Sequence, residues 1–349
     1  MKAIPTSWYF DNGVYELEQE FLFSRYPQYK GHQLMVPNPH DFYVLQRENK
    51  GKMLVNQKEY YSLLSNVCCH HEALLMEDKG NADKIVCPAH RWCYDLNGHL
   101  LHAPRFDKVP CVNLSNQRLE EWLGMLFLGN NMPLPQLEKE ISTAINFSNY
   151  RFYKMIEQHY DFNWKIFMEV YLDNYHIPAI HPGLRNVINI DEQSWIINKE
   201  YSAQLVKIKE SFNKAGSAAY EKYQRLIMDY QDKIPRADYI TWFSLYPATM
   251  IECYPYMLLV STVKPISATE CVNYMEYYFD VDMLQQAPEF AEIAIAAYSE
   301  TAQEDNHISE LINNGRRSLY EEGKDQAGPH HPQMEKGLDS FYAFLHHIR

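Results

Sequence analysis

Apolar residues recur at helical spacing between positions 11 and 25, where Val14, Leu17, Phe21 and Leu22 share one face and Asp11 or Asn12 can cap the first turn. After Pro27 the pattern shortens to strand-like runs at 33–36, 42–45, 53–55 and 61–64, each bounded by Pro, Asn or Gly. Residues 85–86 and 94–96 lead into and out of a loop, Asn97-Gly98 reads as a hairpin turn, and 125–128 closes what looks like an antiparallel β-domain. Gly129 to Pro135, with two prolines and a glycine, interrupts both periodicities and reads as a linker. Downstream, helices are expected over 163–172, 287–302 and 307–317, and strands over 201–212, 240–246, 257–263 and 271–279. No repeat or low-complexity tract intervenes, so this half reads as α+β with an antiparallel sheet.

Composition narrows the class. A chain of 349 residues with 46% hydrophobic and 22% charged residues has room for two domains and an ordinary soluble core. A formal charge of −13 and the lack of a Lys/Arg cluster argue against nucleic acid as a partner. No run approaches eighteen apolar residues, so no membrane span is expected, and the Pro-broken start shows no secretory signal. Seven cysteines, an odd number in a large chain, fit a reducing cytoplasm rather than a disulfide framework. Cys93, Cys111, Cys253 and Cys271 are expected to be small buried hydrophobes.

Against that background stand Asn66-Val-Cys68-Cys-His70-His71 and Cys87-Pro-Ala-His90-Arg-Trp92-Cys-Tyr94-Asp-Leu-Asn-Gly98. Two loops each offer one thiolate and one imidazole, which makes a four-ligand metal site. A [2Fe–2S] cluster with two Cys on one iron and two His on the other, or a tetrahedral Cys2His2 zinc, could use it. The order favours the cluster, with Cys68 paired to Cys87 and His70 to His90, because zinc sites of this composition usually present both cysteines before both histidines. The doublets Cys68-Cys69 and His70-His71 also allow a register one residue later. A second constellation is Asp173-Asn-Tyr-His176-Ile-Pro-Ala-Ile-His181, where Pro178 must break the helix and could let both imidazoles converge. With one carboxylate they would make a facial triad suited to ferrous iron; alone they could be hydrogen-bonded core histidines. Asp280, Asp282, Glu304 and Asp305 are candidate third ligands. Asp173, three residues before His176, can accept a hydrogen bond from that ring's other nitrogen.

Both constellations resemble the Rieske non-heme iron oxygenases, the α subunits also called aromatic ring-hydroxylating dioxygenases. The first differs from the family pattern where His71 and Glu72 replace the usual Arg-Gly, and where Arg91 replaces a Gly. Val170 replaces the Asn that many members carry beside Glu169. The resemblance implies an N-terminal helix over 1–32 packing on a catalytic domain, an antiparallel β Rieske domain over 33–130, and a helix-grip catalytic domain with a curved antiparallel sheet over 131–349. It makes Cys68, His70, Cys87 and His90 the cluster ligands, and His176, His181 and Asp305 the ligands of mononuclear Fe(II), with Asp305 at the start of a late helix. It also gives Asp173 a catalytic role, bridging the iron site to a Rieske histidine of a neighbouring subunit in a homotrimer.

That pairing of sites implies an enzyme that stores electrons in the cluster, activates O2 at the iron, and hydroxylates, dihydroxylates or oxidatively demethylates a small arene, amine or quaternary ammonium. The chain has no Gly-rich dinucleotide fingerprint, so a separate NAD(P)H-dependent flavin or ferredoxin reductase is the expected partner. Trp164, Tyr171, Trp195, Trp242, Phe243, Tyr246, Tyr254 and Tyr256 are candidates for the substrate pocket. A non-enzymatic electron carrier and a zinc-stabilised interaction protein are the alternatives; each leaves His176, His181 and Asp305 without a purpose.

Overall fold

The computed structural model describes residues 4–129, 136–137, 139–212, 214–234, 236–325 and 328–346, so all of the expected linker except Gly129 lies outside the described residues. Contacts divide the chain into two units, one of Arg25–Leu134 and one of Met1–Ser24 with Pro135–Arg349.

The first unit is all antiparallel. A five-stranded sheet runs in the order Lys79–Asn81, Asp41–Val44, Lys52–Asn56, Tyr61–Ser65 and Asn116–Arg118, and a three-stranded sheet joins Gln28–His32, Met125–Leu128 and Glu120–Trp122. A second three-stranded sheet, Lys84–Val86, Cys93–Asp95 and Leu100–His102, carries the second ligand loop, with Gly98 in the left-handed region (φ +90°) at the expected turn. Residues 33–36 are not the strand their apolar run suggests. They form a 3-10 turn over Gln33–Met35, because the His32 ring accepts the Leu34 amide at 3.1 Å and satisfies it outside any sheet. Strand pairing falls instead to the more polar Gln28–His32, within the segment expected to belong to the N-terminal helix.

In the second unit a seven-stranded antiparallel sheet follows the order Tyr150–Tyr160, Glu270–Asp280, Met257–Ser267, Thr249–Tyr254, Tyr239–Leu245, Tyr201–Ile208, Ile188–Ile197. Bulges at Phe152/Lys154, Asn189/Gln193 and Pro265/Ser267 bend its long strands. A 32-residue helix, Phe290–Glu321, lays Phe290, Ala291, Ala294 and Ile295 into a core with Leu259, Met275, Tyr277 and Phe279 of the sheet. It replaces the two helices expected on either side of Asp305. No proline interrupts the stretch, and its acidic residues sit inside the helix rather than marking a start.

The N-terminal segment is fastened to helix Trp164–Leu172 by buried polar groups. Asp11 caps Asn12–Glu18 by accepting the Gly13 and Val14 amides. Further along, the Glu18 carboxylate takes the Lys165 ammonium at 2.6 Å and the Trp164 indole N–H at 2.8 Å, and both members of the ion pair are buried. Burial pulls the Lys165 pKa down against the opposing pull of Glu18. Removing one partner of such a pair strands a buried charge, so Lys165→Ala is expected to cost about 3–5 kcal/mol. Denaturant unfolding would measure it, and a loss below about 1 kcal/mol would show that Glu18 is rescued by water. Glu169 closes a similar knot, accepting from the Tyr9 hydroxyl, the Tyr342 hydroxyl at 3.0 Å and the Arg316 guanidinium.

Candidate metal centres and active site

The two Rieske-type loops are shaped by tight turns. Cys68 N–H donates to Ala73 O and Glu72 N–H returns to Cys68 O; likewise Cys87 N–H donates to Trp92 O and Arg91 N–H to Cys87 O. Glu72 (φ +58°) and Arg91 (φ +63°) stand in the left-handed region, so the backbone bend associated with glycine survives where this sequence lacks it. That conformation costs a non-glycine residue roughly 1–2 kcal/mol, which the turn's hydrogen bonds must offset. Cys68 and Cys87 are each 1% exposed, whereas Cys69 is exposed.

His70 stacks on Trp92 at 4.7 Å and meets the His90 ring edge-on at the same distance. Its Nδ1 is buried with no hydrogen-bond partner among the described residues, the position a metal bond would fill. The Tyr94 hydroxyl lies 3.3 Å from Cys68 Sγ. Burial disfavours the Cys68 thiolate, but Tyr94, the backbone at His70 and the neighbouring Cys87 outweigh it and lower its pKa. The remaining cysteines divide. Cys253 and Cys271 are buried as expected, while Cys93, at the start of strand Cys93–Asp95, is half-buried and Cys111, outside any strand or helix, is exposed.

In the larger unit, helix Trp164–Leu172 ends at Asp173, and Pro178 opens a short turn, Ile177–Ile180, that brings the two histidines together. Their Nε2 atoms are 3.0 Å apart, and Asp305 Oδ1, from the middle of the long helix, lies 3.2 Å from His176 Nε2 and 2.9 Å from His181 Nε2. The opposite ring nitrogens are held by carboxylates: His176 Nδ1 by Asp173 Oδ2 at 3.1 Å, His181 Nδ1 by Glu304 Oε2 at 2.8 Å. If each Nδ1 carries a proton for its carboxylate, both Nε2 lone pairs converge with a carboxylate oxygen on one point. Donors about 2.1 Å from a shared ion and at right angles lie about 3 Å apart, so the set fits a divalent metal. Burial alone would lower the His176 pKa, but Asp173 and Asp305 raise it to about 9, a measure of how strongly this corner calls for positive charge. Burial likewise works against the Asp305 carboxylate, and the two imidazoles more than compensate.

The triad opens into a cavity of about 80 Å³, several times the roughly 10–15 Å³ that one water needs. Tyr171, Trp242 and Tyr254 line it as expected, joined by Tyr160, Phe167 and Tyr298. Trp164, Phe243, Tyr246 and Tyr256 are core instead, and Trp195 packs outside the cavity, its indole N–H donating to Gln333 O. Glu252, on strand Thr249–Tyr254, also lines the cavity, and burial pushes its pKa up to about 7 despite hydrogen bonds from Tyr254 and Tyr298. Sequence reading missed Glu252, and it nominated Glu304 as a candidate iron ligand rather than as the carboxylate behind His181. A charged residue inside the largely apolar run Thr-Met-Ile-Glu-Cys-Tyr was the available signal for the first. For the role of Glu304 there was none, since its partner lies 123 positions away.

A two-loop Cys/His site with buried cysteines, followed by a His-His-Asp triad on a helix-and-sheet domain, defines a Rieske non-heme iron oxygenase, and family comparison agrees. The Rieske [2Fe-2S] domain profile matches residues 26–113 and the ring hydroxylating alpha subunit (catalytic domain) profile matches residues 117–348; the chain belongs to this family. Its cofactors are a [2Fe–2S] cluster and mononuclear iron, and it works with a separate reductase. The chain is similar to putrescine 2-hydroxylase of Ralstonia nicotianae, 38% identical over 99% of this chain and 95% of the relative, and to that of Bordetella bronchiseptica, 35% identical over 99% and 84%. Among solved structures it resembles the quaternary ammonium Rieske monooxygenase CntA, with TM-score 0.77 and 19% identity over 99% and 94% of the two chains, a likeness of fold. No helix among the described residues is long and apolar enough to cross a membrane.

Proposed function

We propose that this chain is the oxygenase component of an amine hydroxylase acting on a short aliphatic diamine of the putrescine kind. The observation that carries the reading is the end-to-end likeness to two putrescine 2-hydroxylases, each above a third identical. In this reading Cys68 and Cys87 hold one iron of the cluster, His70 and His90 the other, and His176, His181 and Asp305 hold the mononuclear iron. The reaction inserts one oxygen atom into a C–H bond, R–H + O2 + 2 e− + 2 H+ giving R–OH and H2O, with both electrons drawn from an NAD(P)H-dependent flavin or ferredoxin reductase. Bound iron supplies open positions where O2 and substrate can meet.

The chain's own residues do the rest. Asp173 and Glu304 fix the tautomer and orientation of the two rings, each holding an Nδ1 proton. Aromatic walls from Tyr160, Tyr171 and Trp242 exclude bulk water and press the substrate's methylene chain toward the triad. Asp173, 23% exposed beside the 61% exposed Tyr175, also offers a hydrogen-bonded route out of the site, leading to a Rieske histidine, His90 or His70, of a neighbouring subunit in a cytoplasmic homotrimer.

Anaerobic purification with metal and sulfide analysis, followed by assay with putrescine, a quaternary amine and an arene, tests the reading. Three irons and two sulfides per chain with hydroxylation of the diamine are expected. Zinc without sulfide would overturn it, and turnover of the arene alone would overturn the substrate class.

A further inference from the structure

Glu252 is a carboxylate at 3% exposure in the wall of the reaction cavity, and no lysine or arginine is among the residues lining that cavity. Its two oxygens are each given one hydroxyl, Oε1 from Tyr298 at 2.8 Å and Oε2 from Tyr254 at 2.7 Å; the Tyr254 oxygen is set in turn by the Trp242 indole N–H at 2.9 Å. An ionised carboxylate has about four acceptor positions, so two remain. Burying that charge with no lysine or arginine in the cavity wall is expensive, and the tyrosines relieve only part of the cost. What the pocket lacks is a cation with N–H groups to give.

We propose that Glu252 is the specificity determinant of this active site, anchoring a primary ammonium of the substrate through its two free acceptor positions while the faces of Trp242, Tyr254 and Tyr298 surround the charge. The aromatic frame favours a cation by its quadrupoles, and the carboxylate selects one with hydrogens on nitrogen over a quaternary one. Glu252 and Asp305 line the same cavity, so a substrate tethered at Glu252 by one ammonium extends its carbon chain into the space that the triad also lines. The anchor therefore also sets which carbon reacts. This inference rests on the amine reading above.

The test uses the full, iron-loaded enzyme. Calorimetry is run anaerobically with putrescine, with tetramethylammonium and with butane-1,4-diol, a neutral diol of the same carbon chain, on wild type and Glu252→Gln. Wild type should bind putrescine at least 100-fold more tightly than the diol. In Glu252→Gln, which keeps the side-chain shape and one acceptor for the tyrosines, that preference should collapse by roughly 100-fold. KM for putrescine should rise with it, while the visible spectrum and the iron content stay as they were. Equal putrescine affinity in wild type and a loaded Glu252→Gln overturns the anchor while leaving the amine reading intact. Should the variant fail to fold, the wild-type series decides: binding of the diol as tight as that of putrescine overturns the anchor. A wild type that binds and oxidises no amine overturns both.

Discussion

Asp305→Ala should yield a chain that keeps its two-iron cluster, holds no third iron and does not turn over. Asp305 Oδ1 is the only carboxylate oxygen of the three-donor group, within 3.2 Å of both Nε2 atoms, and its pKa is held low by the two imidazoles, so it is anionic at neutral pH. Removing it leaves two neutral imidazoles, 3.0 Å apart, to hold a divalent ion alone. Loss of an outer-shell partner typically weakens metal binding about 10–100-fold, and loss of a direct ligand should exceed that. Glu304→Ala supplies the contrast. It removes only the carboxylate behind His181, so iron should bind within that 10–100-fold range and activity should return at excess ferrous iron. Iron per chain, measured beside the visible spectrum of the cluster, distinguishes the two: about two against about three at saturating metal. An Asp305→Ala enzyme that retained the third iron and turned over would remove Asp305 from the centre and pass its role to Glu304.

The difference between these two neighbours also marks how far the chain could be read without its fold. Cys68-x-His70, Cys87-x-x-His90 and His176…His181 are legible because metal chemistry restricts residue type, and both partners of each pair are close in sequence. Asp305 is one of four candidate acids in the sequence and is singled out only by family resemblance, which places it at a helix start, since its partners are more than a hundred positions away. Acids favour helix N-termini, but here Thr301, Asp305 and Ser309 lie one turn apart on a single face of a continuous helix, turned to the cavity where an apolar stripe would otherwise continue. The sheet was half legible. Strands 240–246, 257–263 and 271–279 announced themselves as apolar runs, whereas Thr249–Tyr254 hides a glutamate in its middle and Tyr150–Tyr160 and Ile188–Ile197 are broken by bulges. Of the features left unread, Glu252 lines the cavity, while Glu169 ties the N-terminal segment to helix Phe290–Glu321 through Arg316 and to helix Lys336–His346 through Tyr342.

Asp173→Ala is expected to load both metals and yet lose at least 100-fold in turnover. Its two oxygens act on different groups, one accepting the Tyr175 amide and the other the His176 Nδ1 proton. If orientation of His176 were its whole task, the loss would show as weaker iron binding, about 10–100-fold, and excess iron would restore the rate. An acid that also carries electrons between subunits behaves differently: iron content and the reduced-cluster spectrum stay normal, and reoxidation of a pre-reduced cluster on adding substrate and O2 stalls. Single-turnover mixing reads that step directly, free of the reductase. Asp173→Asn sharpens the distinction, because the amide oxygen can still accept from His176 while the charge is gone. A single-turnover rate equal to wild type in the alanine variant would sink the bridging role, and rescue by iron alone would reduce Asp173 to a positioning residue. Stalling in both variants at full metal occupancy would mean that the carboxylate's charge, not only its hydrogen bond, links the two centres.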